Sequence, residues 1–253
     1  MFLNVQILRR CLFIDIETAS EFPDYESMPG DKKSYWDIKS DQIKKYGRED
    51  EQDLTPAAHY TKKAGIFAEF ARVVCISMGF LHFENDEPVK MRIKSLAGED
   101  EAEILNDFSR LLVNHYNDPE NSSICGHNIK EFDIPFLCRR MVIHGVKLPP
   151  VLDISGKKPW QTNHIMDTMD MWRFGDYKHY TSLGLLASAL GIPTPKDDID
   201  GSMVGKVFWD EQDIDRIVTY CQKDVAATVN IVLKFSGKPV LEGDKVELIN
   251  IKE

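Results

Sequence analysis

The sequence predicts an α/β protein, a mixed sheet covered by helices. Three observations carry this. Strand-like apolar runs crowd the early part of the chain, at 3–14, 72–81 and 89–98. Amphipathic stretches with helical periodicity follow, at 99–116, 181–192 and 211–235. A short link, HFENDEP, joins the second and third strand runs and predicts an antiparallel start, with helix-bearing crossovers later.

Residues 3–14, LNVQILRRCLFI, read as a strand with an apolar second half, and Asp15 and Glu17 of DIET fall at its end. From about Ser20 to about Phe70 the composition turns charged. This stretch reads as an inserted helical segment with too few large apolar residues for a core of its own. RVVCISMGFL, 72–81, is a buried strand, and VKMRIKSLAG, 89–98, is a second with alternating character. In the helix 99–116, Ile104, Leu105, Phe108, Leu111 and Leu112 share a face. SSICGHN is a short strand and its exit. FDIPFLCRRMVIHG is a helix ending at Gly145. Residues 181–192 form a helix capped by Thr181, and 211–235 the last long helix. The tail, about 237–253, is either a hairpin or an arm. All of this is expected in one domain, 1–253.

Of the 253 residues, 43% are hydrophobic, enough for a substantial core. No apolar run approaches the roughly 18 residues of a membrane span. MFLNVQILRR makes a poor signal peptide, since two arginines stand where a cleavage site should lie, so the expected location is cytoplasmic. The five cysteines are scattered without a CxxC and read as reduced core thiols rather than zinc ligands or disulfides. The formal net charge of −10 opposes broad binding along a phosphate backbone.

Three small constellations carry chemistry. Asp15 and Glu17 alternate on a strand and so project to one face, with Ile14 and Ile16 turned to the core. Surface alternation often produces such a pair. Tyr220 and Asp224 stand four apart on one helix face, beside a stripe of Ile217, Cys221, Val225 and Val232. Alone they read as a tyrosine–aspartate hydrogen bond. In CGHNIKEFDIPFL, Asn128 and Asp133 flank Phe132. Asp133 reads as a helix cap with Pro135 just inside, though a cap can also be a ligand.

Taken in order, the three resemble the motifs of the DEDD superfamily of 3′→5′ exonucleases: DIET, N-x3-F-D and Y-x3-D. The tyrosine form marks the DEDDy subgroup, which contains polymerase proofreading domains. The histidine form would need His where Thr219 stands. TSLGLLASALGIP, DGSMVG and IVTYCQKDVAATVNI are similar to stand-alone bacterial exonucleases related to the proofreading domain of family-B DNA polymerases, and the resemblance covers about 8–235. It implies a ribonuclease H-like fold, a mixed five- or six-stranded sheet flanked by helices, with a helical insertion after the first, central strand. No polymerase segment follows the third motif, so any proofreading is expected in trans.

Hydrolysing a phosphodiester builds charge on the attacking and leaving oxygens, and two cations about 3.5–4 Å apart stabilise both. Two Mg2+ or Mn2+ ions suit carboxylate oxygens. Two carboxylates about 4 Å apart repel by about 4 kcal/mol at an effective dielectric of about 20. Such a cluster therefore binds cations or holds protons. By resemblance, Asp15 bridges both ions and Glu17 and Asp224 complete the nucleophile-side ion. Asp133 supports the other ion through water, and Tyr220 hydrogen-bonds the attacking water. The same resemblance assigns the substrate's 3′ end to Ile16, Thr18, Asn128, Phe132 and Tyr220. Phe132 reads equally as a stacking ring and as core.

Weaker features remain. Trp172, Arg173, Tyr177 and Lys178 interleave aromatic and basic groups that either guide a strand or pack and solvate ordinarily. KKPW, 157–160, is a fainter version. DGSMVGK, 200–206, has glycines that permit close backbone approach but lacks P-loop spacing. Asp167 and Asp170 are either near the metals or solvated, and His127 is expected to shape its turn rather than ligate. The expected substrate is single-stranded DNA and the expected partner a replication or repair protein. RNA with the same chemistry, and a non-catalytic nucleic-acid-binding module, are the alternatives.

Overall fold

The computed structural model describes residues 3–176, 178–193 and 198–249. Its centre is a six-stranded sheet in the order β5-β4-β1-β2-β3-β6. The strands are β1 (Cys11–Ser20), β2 (Ala71–Glu84), β3 (Glu87–Ala97), β4 (Ser123–Gly126), β5 (Ile165–Asp167) and β6 (Val246–Ile249). The pairs β1/β2 and β2/β3 are antiparallel, while β1/β4, β4/β5 and β3/β6 are parallel. The mixed sheet with an antiparallel start is as predicted, and β1 is interior.

Several boundaries differ from expectation. Residues 5–8 form a short helix, α1 (Val5–Leu8), capped by Asn4, so the first strand begins only at Cys11. It then runs on to Ser20, which places Asp15 and Glu17 inside the strand rather than at its end. The link between β2 and β3 shrinks to Asn85 and Asp86, both at positive φ (46° and 63°), the geometry of a tight two-residue hairpin. The tail is neither a hairpin nor a free arm. Its Val246–Ile249 segment adds an edge strand parallel to β3.

Helices cover both faces. On one lie α4 (Glu101–His115) and α5 (Asp133–Ile143), packed on Leu12, Ile14 and Ile16. On the other lies α9 (Ile214–Phe235), packed on Cys11, Phe13, Met91 and Ile93. Gly79 permits this second contact, because a Cβ there would come within 2.7 Å of Val225. The shorter helices α6 (Thr168–Arg173), α7 (Leu183–Ala189) and α8 (Val204–Lys206) lie between α5 and α9 in the chain. Ser182, not Thr181, caps α7, accepting from the Leu185 amide.

The insertion carries α2 (Gly30–Tyr46) and α3 (Pro56–Lys63). It does form a small core, contrary to the sequence reading. Trp36 is fully buried, with Tyr60, Phe67 and Phe70 edge-on to it at 5.1, 6.1 and 5.0 Å. Beneath it, Ser40 Oγ meets His59 Nδ1 at 2.8 Å. A single tryptophan gathers aromatic rings that are dispersed in the sequence, so counting apolar residues along the segment undervalued it.

Candidate active site

Strands β1, β4 and β5 are parallel, so their carboxyl ends open at one edge of the sheet, where α/β proteins place ligands. β4 ends at Gly126, and its last partner on β1 is Phe13, paired with Cys125. Beyond that point β1 overhangs. Asp15 and Glu17 point from the overhang toward α9, while Ile14 and Ile16 are buried on the other face, as expected. Glu17 is buried and Asp15 partly open. Directly after Glu17 the β1/β2 register slips, leaving Val74 as an extra residue on β2. Such bulges re-aim side chains beside functional sites.

Asp133 arrives from the neighbouring connection. It is the first helical residue of α5, and Phe132 occupies the cap position, so Asp133 is not the expected cap. Its buried carboxyl instead takes a backbone hydrogen bond from Ile16, on the strand edge that β4 leaves free. Burial, reinforced by the charge of Asp167, pushes Asp133 up to about 7, although its own amide and that of Ile16 pull the other way. Tyr220 and Asp224 come from α9, where the Tyr220 hydroxyl hydrogen-bonds the Asp224 carboxylate.

The four carboxylates act on one another. Burial raises Asp15 well above the carboxylate range, and the charges of Asp224 and Asp133 raise it further. Glu17 is raised by burial and then by Asp15, Asp224 and Asp133. Tyr220 is raised by burial, then by Asp224, Glu17 and Asp15, so its phenol keeps its proton. None of the strongest influences on Asp15 or Glu17 is a basic side chain.

One participant was missed. Cys221 Sγ lies 3.3 Å from Asp15 Oδ2 and 3.4 Å from the Asp15 carbonyl oxygen, and oxygens of Asp15 and Glu17 lie with it inside a 4.8 Å cluster. Burial pushes the Cys221 thiol well up, as does its hydrogen bond with Cys75, and the thiol donates to Asp15. Behind it runs a buried polar row: Ser77 Oγ to Ser95 Oγ at 2.8 Å, and Gln222 Nε2 to Ser95 Oγ at 3.0 Å. The only sequence signal was position, since the buried stripe containing Cys221 adjoins the Tyr220/Asp224 stripe.

The loop 127–132 is tied down closely. Asp167 accepts from the amides of Asn128 (2.9 Å), Lys130 (3.2 Å) and Met169 (2.9 Å), so it clamps the loop and caps α6. Asp170 pairs with Lys130 at 3.1 Å and Arg173 at 3.1 Å. His127 bridges Thr168 Oγ1 (2.9 Å) and the Thr181 carbonyl (2.8 Å), the turn-shaping role expected. Asn128 sits in the left-handed region (φ 62°), and its buried Oδ1 has no hydrogen-bond partner. Phe132 packs partly on the core, 5.4 Å from Phe136. Thr18 Oγ1 donates to Gly65 O at 2.7 Å, which ties the insertion to β1.

The weaker features divide. Trp172 stacks on Phe235 at 6.3 Å and Arg173 holds Asp170, so both are structural; Lys178 is exposed, and Tyr177 lies outside the described residues. Trp160 of KKPW is exposed under Lys158. At Gly201 and Gly205 a Cβ would meet nothing within 4 Å, so neither glycine is required by a close contact within the protein itself. Trp209, further along, donates to Ser20 O at 3.0 Å and packs that segment beside β1.

The fold, a mixed six-stranded sheet flanked by helices, is of the ribonuclease H-like class. The solved structure of the family B DNA polymerase from the hyperthermophilic archaeon Pyrobaculum calidifontis matches with a TM-score of 0.52 and 15% identity, over 89% of this chain and 24% of that one. The chain thus spans about a quarter of the polymerase's length. A family described as predicted 3′-5′ exonucleases related to the exonuclease domain of PolB matches residues 66–244, and the chain belongs to it. That match holds the second and third motifs and begins after the first. No curated protein matches. Among the described residues no helix is long and apolar enough to cross a membrane.

Proposed function

We propose that this chain removes nucleoside 5′-monophosphates from the 3′ end of single-stranded DNA by divalent-cation hydrolysis, in repair or in proofreading in trans. One observation carries the reading. The charges of Asp133 and Asp224, from two segments distant from β1, bear on Asp15 and Glu17 at the open edge of the sheet and raise the affinity of both for positive charge. This donor set fits Mg2+ or Mn2+, which favour carboxylate oxygens. Bound there, two such ions supply an activated water and stabilise the leaving oxygen.

The chain's own groups have distinct tasks. Asp15, Glu17 and Asp224 hold the nucleophile side and Asp133 the leaving-group side. Tyr220 keeps its proton, which it donates to Asp224, so its oxygen orients the attacking water as an acceptor and does not deprotonate it. Asn128 offers an unpartnered buried acceptor, a deficit of about 1–3 kcal/mol that a substrate hydroxyl would relieve. The backbone of Ile16 and Thr18 and the half-open ring of Phe132 line the same edge. The charge of −10 suits an enzyme that grips an end and not a long backbone.

The test compares 5′-labelled single-stranded DNA, duplex DNA and RNA of one sequence with Mg2+ or Mn2+. Wild type is expected to shorten the single-stranded DNA from its 3′ end. Asp15→Ala is expected to slow this by roughly a thousandfold or more, as loss of a preorganised charge-stabilising group does. Undiminished cutting in chelator would refute the metal account. Preference for RNA would replace the substrate, and binding without cutting would leave only a binding module.

A further inference from the structure

A second recess lies on the opposite face of the sheet. The residues pairing across β1, β2, β3 and β6 explain it. Ile14 pairs with Met78, Met78 with Lys94 and Lys94 with Ile249, so this row faces the α4 side. Met78 is buried, but Lys94 and Ile249 are partly open. The sheet is wider than the helix above it. The result is a pocket of about 520 Å³ with a floor of Leu12, Met78, Phe80 and Tyr116. Its rim carries Arg9, Arg10 and Lys94, and among the described residues no carboxylate lines it. In a chain of net charge −10, such a cationic rim over an apolar floor stands apart.

We propose that this pocket docks a short acidic peptide segment of a partner protein, with one bulky apolar side chain on the floor and carboxylates against the rim. The spacing favours a peptide over a single small anion. Arg10 directly precedes β1, four residues before Ile14, and Lys94 lies in register with Ile14 on β3, two strands away, so the backbone span between them is about 16 Å. One carboxylate cannot reach both, whereas acidic residues either side of an apolar residue can. Arg9 is offset by its ion pair with Asp86 at 2.9 Å, whereas Arg10 is held by the neutral Asn121 at 3.1 Å, so a ligand would meet Arg10 and Lys94 as the principal cations. An apolar anchor in a pocket with a polar rim is the usual anatomy of a small interface. The proposal does not depend on the nuclease reading, because the carboxylate edge is on the other face of β1.

The probe is a fluorescein-labelled acidic heptapeptide containing one tryptophan, followed by anisotropy with the full chain. Binding is expected to fall roughly tenfold on replacing the peptide's acids by amides, and by a similar factor on replacing its tryptophan by serine. It should weaken as salt rises from about 50 to about 500 mM. Arg10→Glu with Lys94→Glu should weaken it at least about tenfold, with melting temperature and oligonucleotide cleavage unchanged. Equal binding by that double variant would overturn the proposal. So would displacement of the peptide by oligothymidylate, which would give the pocket to substrate. Dimerisation lost in the same variant would give it to a second copy, and binding seen only after deletion of 250–253 would give it to the chain's own end.

Discussion

Two buried acidic clusters in this molecule are built in opposite ways. At the base of α4, the carboxylate of Glu101 accepts from the Val73 amide and from Arg140 Nε, both at 2.8 Å, and meets His144 Nε2 at 2.7 Å. Arg140 is itself buried and also donates to Ala68 O. Burial is the largest influence and opposes the charge on Glu101, but the hydrogen bonds from Arg140, the Val73 amide and His144, with the Arg140 charge, together outweigh it and hold the group below the ordinary range. Around Asp15 and Glu17 the strongest neighbours are carboxylates and thiols, and the groups are raised. A carboxylate that serves the fold is satisfied by the fold. One that is left short of positive charge awaits something from outside.

The largest effect that tests this contrast is on stability. Glu101→Ala strands the Arg140 guanidinium in the interior and is expected to cost about 3–5 kcal/mol in denaturant unfolding. Asp15→Asn removes a charge from a repelling cluster and keeps the shape. The metal-free protein is then expected to be at least as stable as wild type. Comparable losses in both variants would erase the distinction between the clusters.

The clusters also differ in how legible they were. Asp15, Glu17, Asp133, Tyr220 and Asp224 could be picked from the sequence because three local spacings, each bland alone, together resemble the DEDD motifs. A two-residue step on a strand and a four-residue step on a helix each fix a shared face. The antiparallel start followed from apolar runs and one short link, but the strand order and the edge strand β6 did not. What failed needed tertiary knowledge. The helical turn at Val5–Leu8 looked like strand because its apolar residues continue into Cys11–Ile14. The insertion's core depends on Trp36 meeting rings 24 to 34 positions away (60 − 36 to 70 − 36). The Asp167 clamp and the Cys221–Asp15 contact join residues that no local pattern connects; 206 positions separate the latter pair.

The second test is pH. In the metal-free protein Asp133 sits at about 7 when folded and near 3.8 when unfolded. The folded state therefore binds the proton more tightly. Stability from this group is full below about 4 and is lost as pH rises through about 7. Asp15 and Glu17, raised in the same sense, add to that trend. Glu101 works the other way: its contribution is present above its unfolded value of 4.5 and is lost as pH falls through its lower folded value. Melting temperature in chelator is expected to fall between about pH 5 and about pH 8, and Mg2+ should reverse the fall. A metal-free profile that rises across that range, or one that Mg2+ leaves unmoved, would break the pairing of raised carboxylates with cation demand.

The smallest effect concerns Cys221, and it asks whether the site is also supported from behind. The thiol donates to the Asp15 oxygen Oδ2, and the Ser77–Ser95–Gln222 row continues the polar layer under α9. A donor fixed on one carboxylate oxygen orients the other, which would make Cys221 a positioning residue. Cys221→Ala leaves Asp15 free to rotate. It is expected to weaken Mg2+ or Mn2+ binding, measured by calorimetry, by roughly tenfold, with little change in the substrate concentration needed for half-maximal rate. Cys221→Ser keeps a donor at the same place and should restore most of that affinity, which simple loss of packing would not allow. Equal metal affinity in the alanine variant would show that β1 and the bulge after Glu17 hold Asp15 unaided.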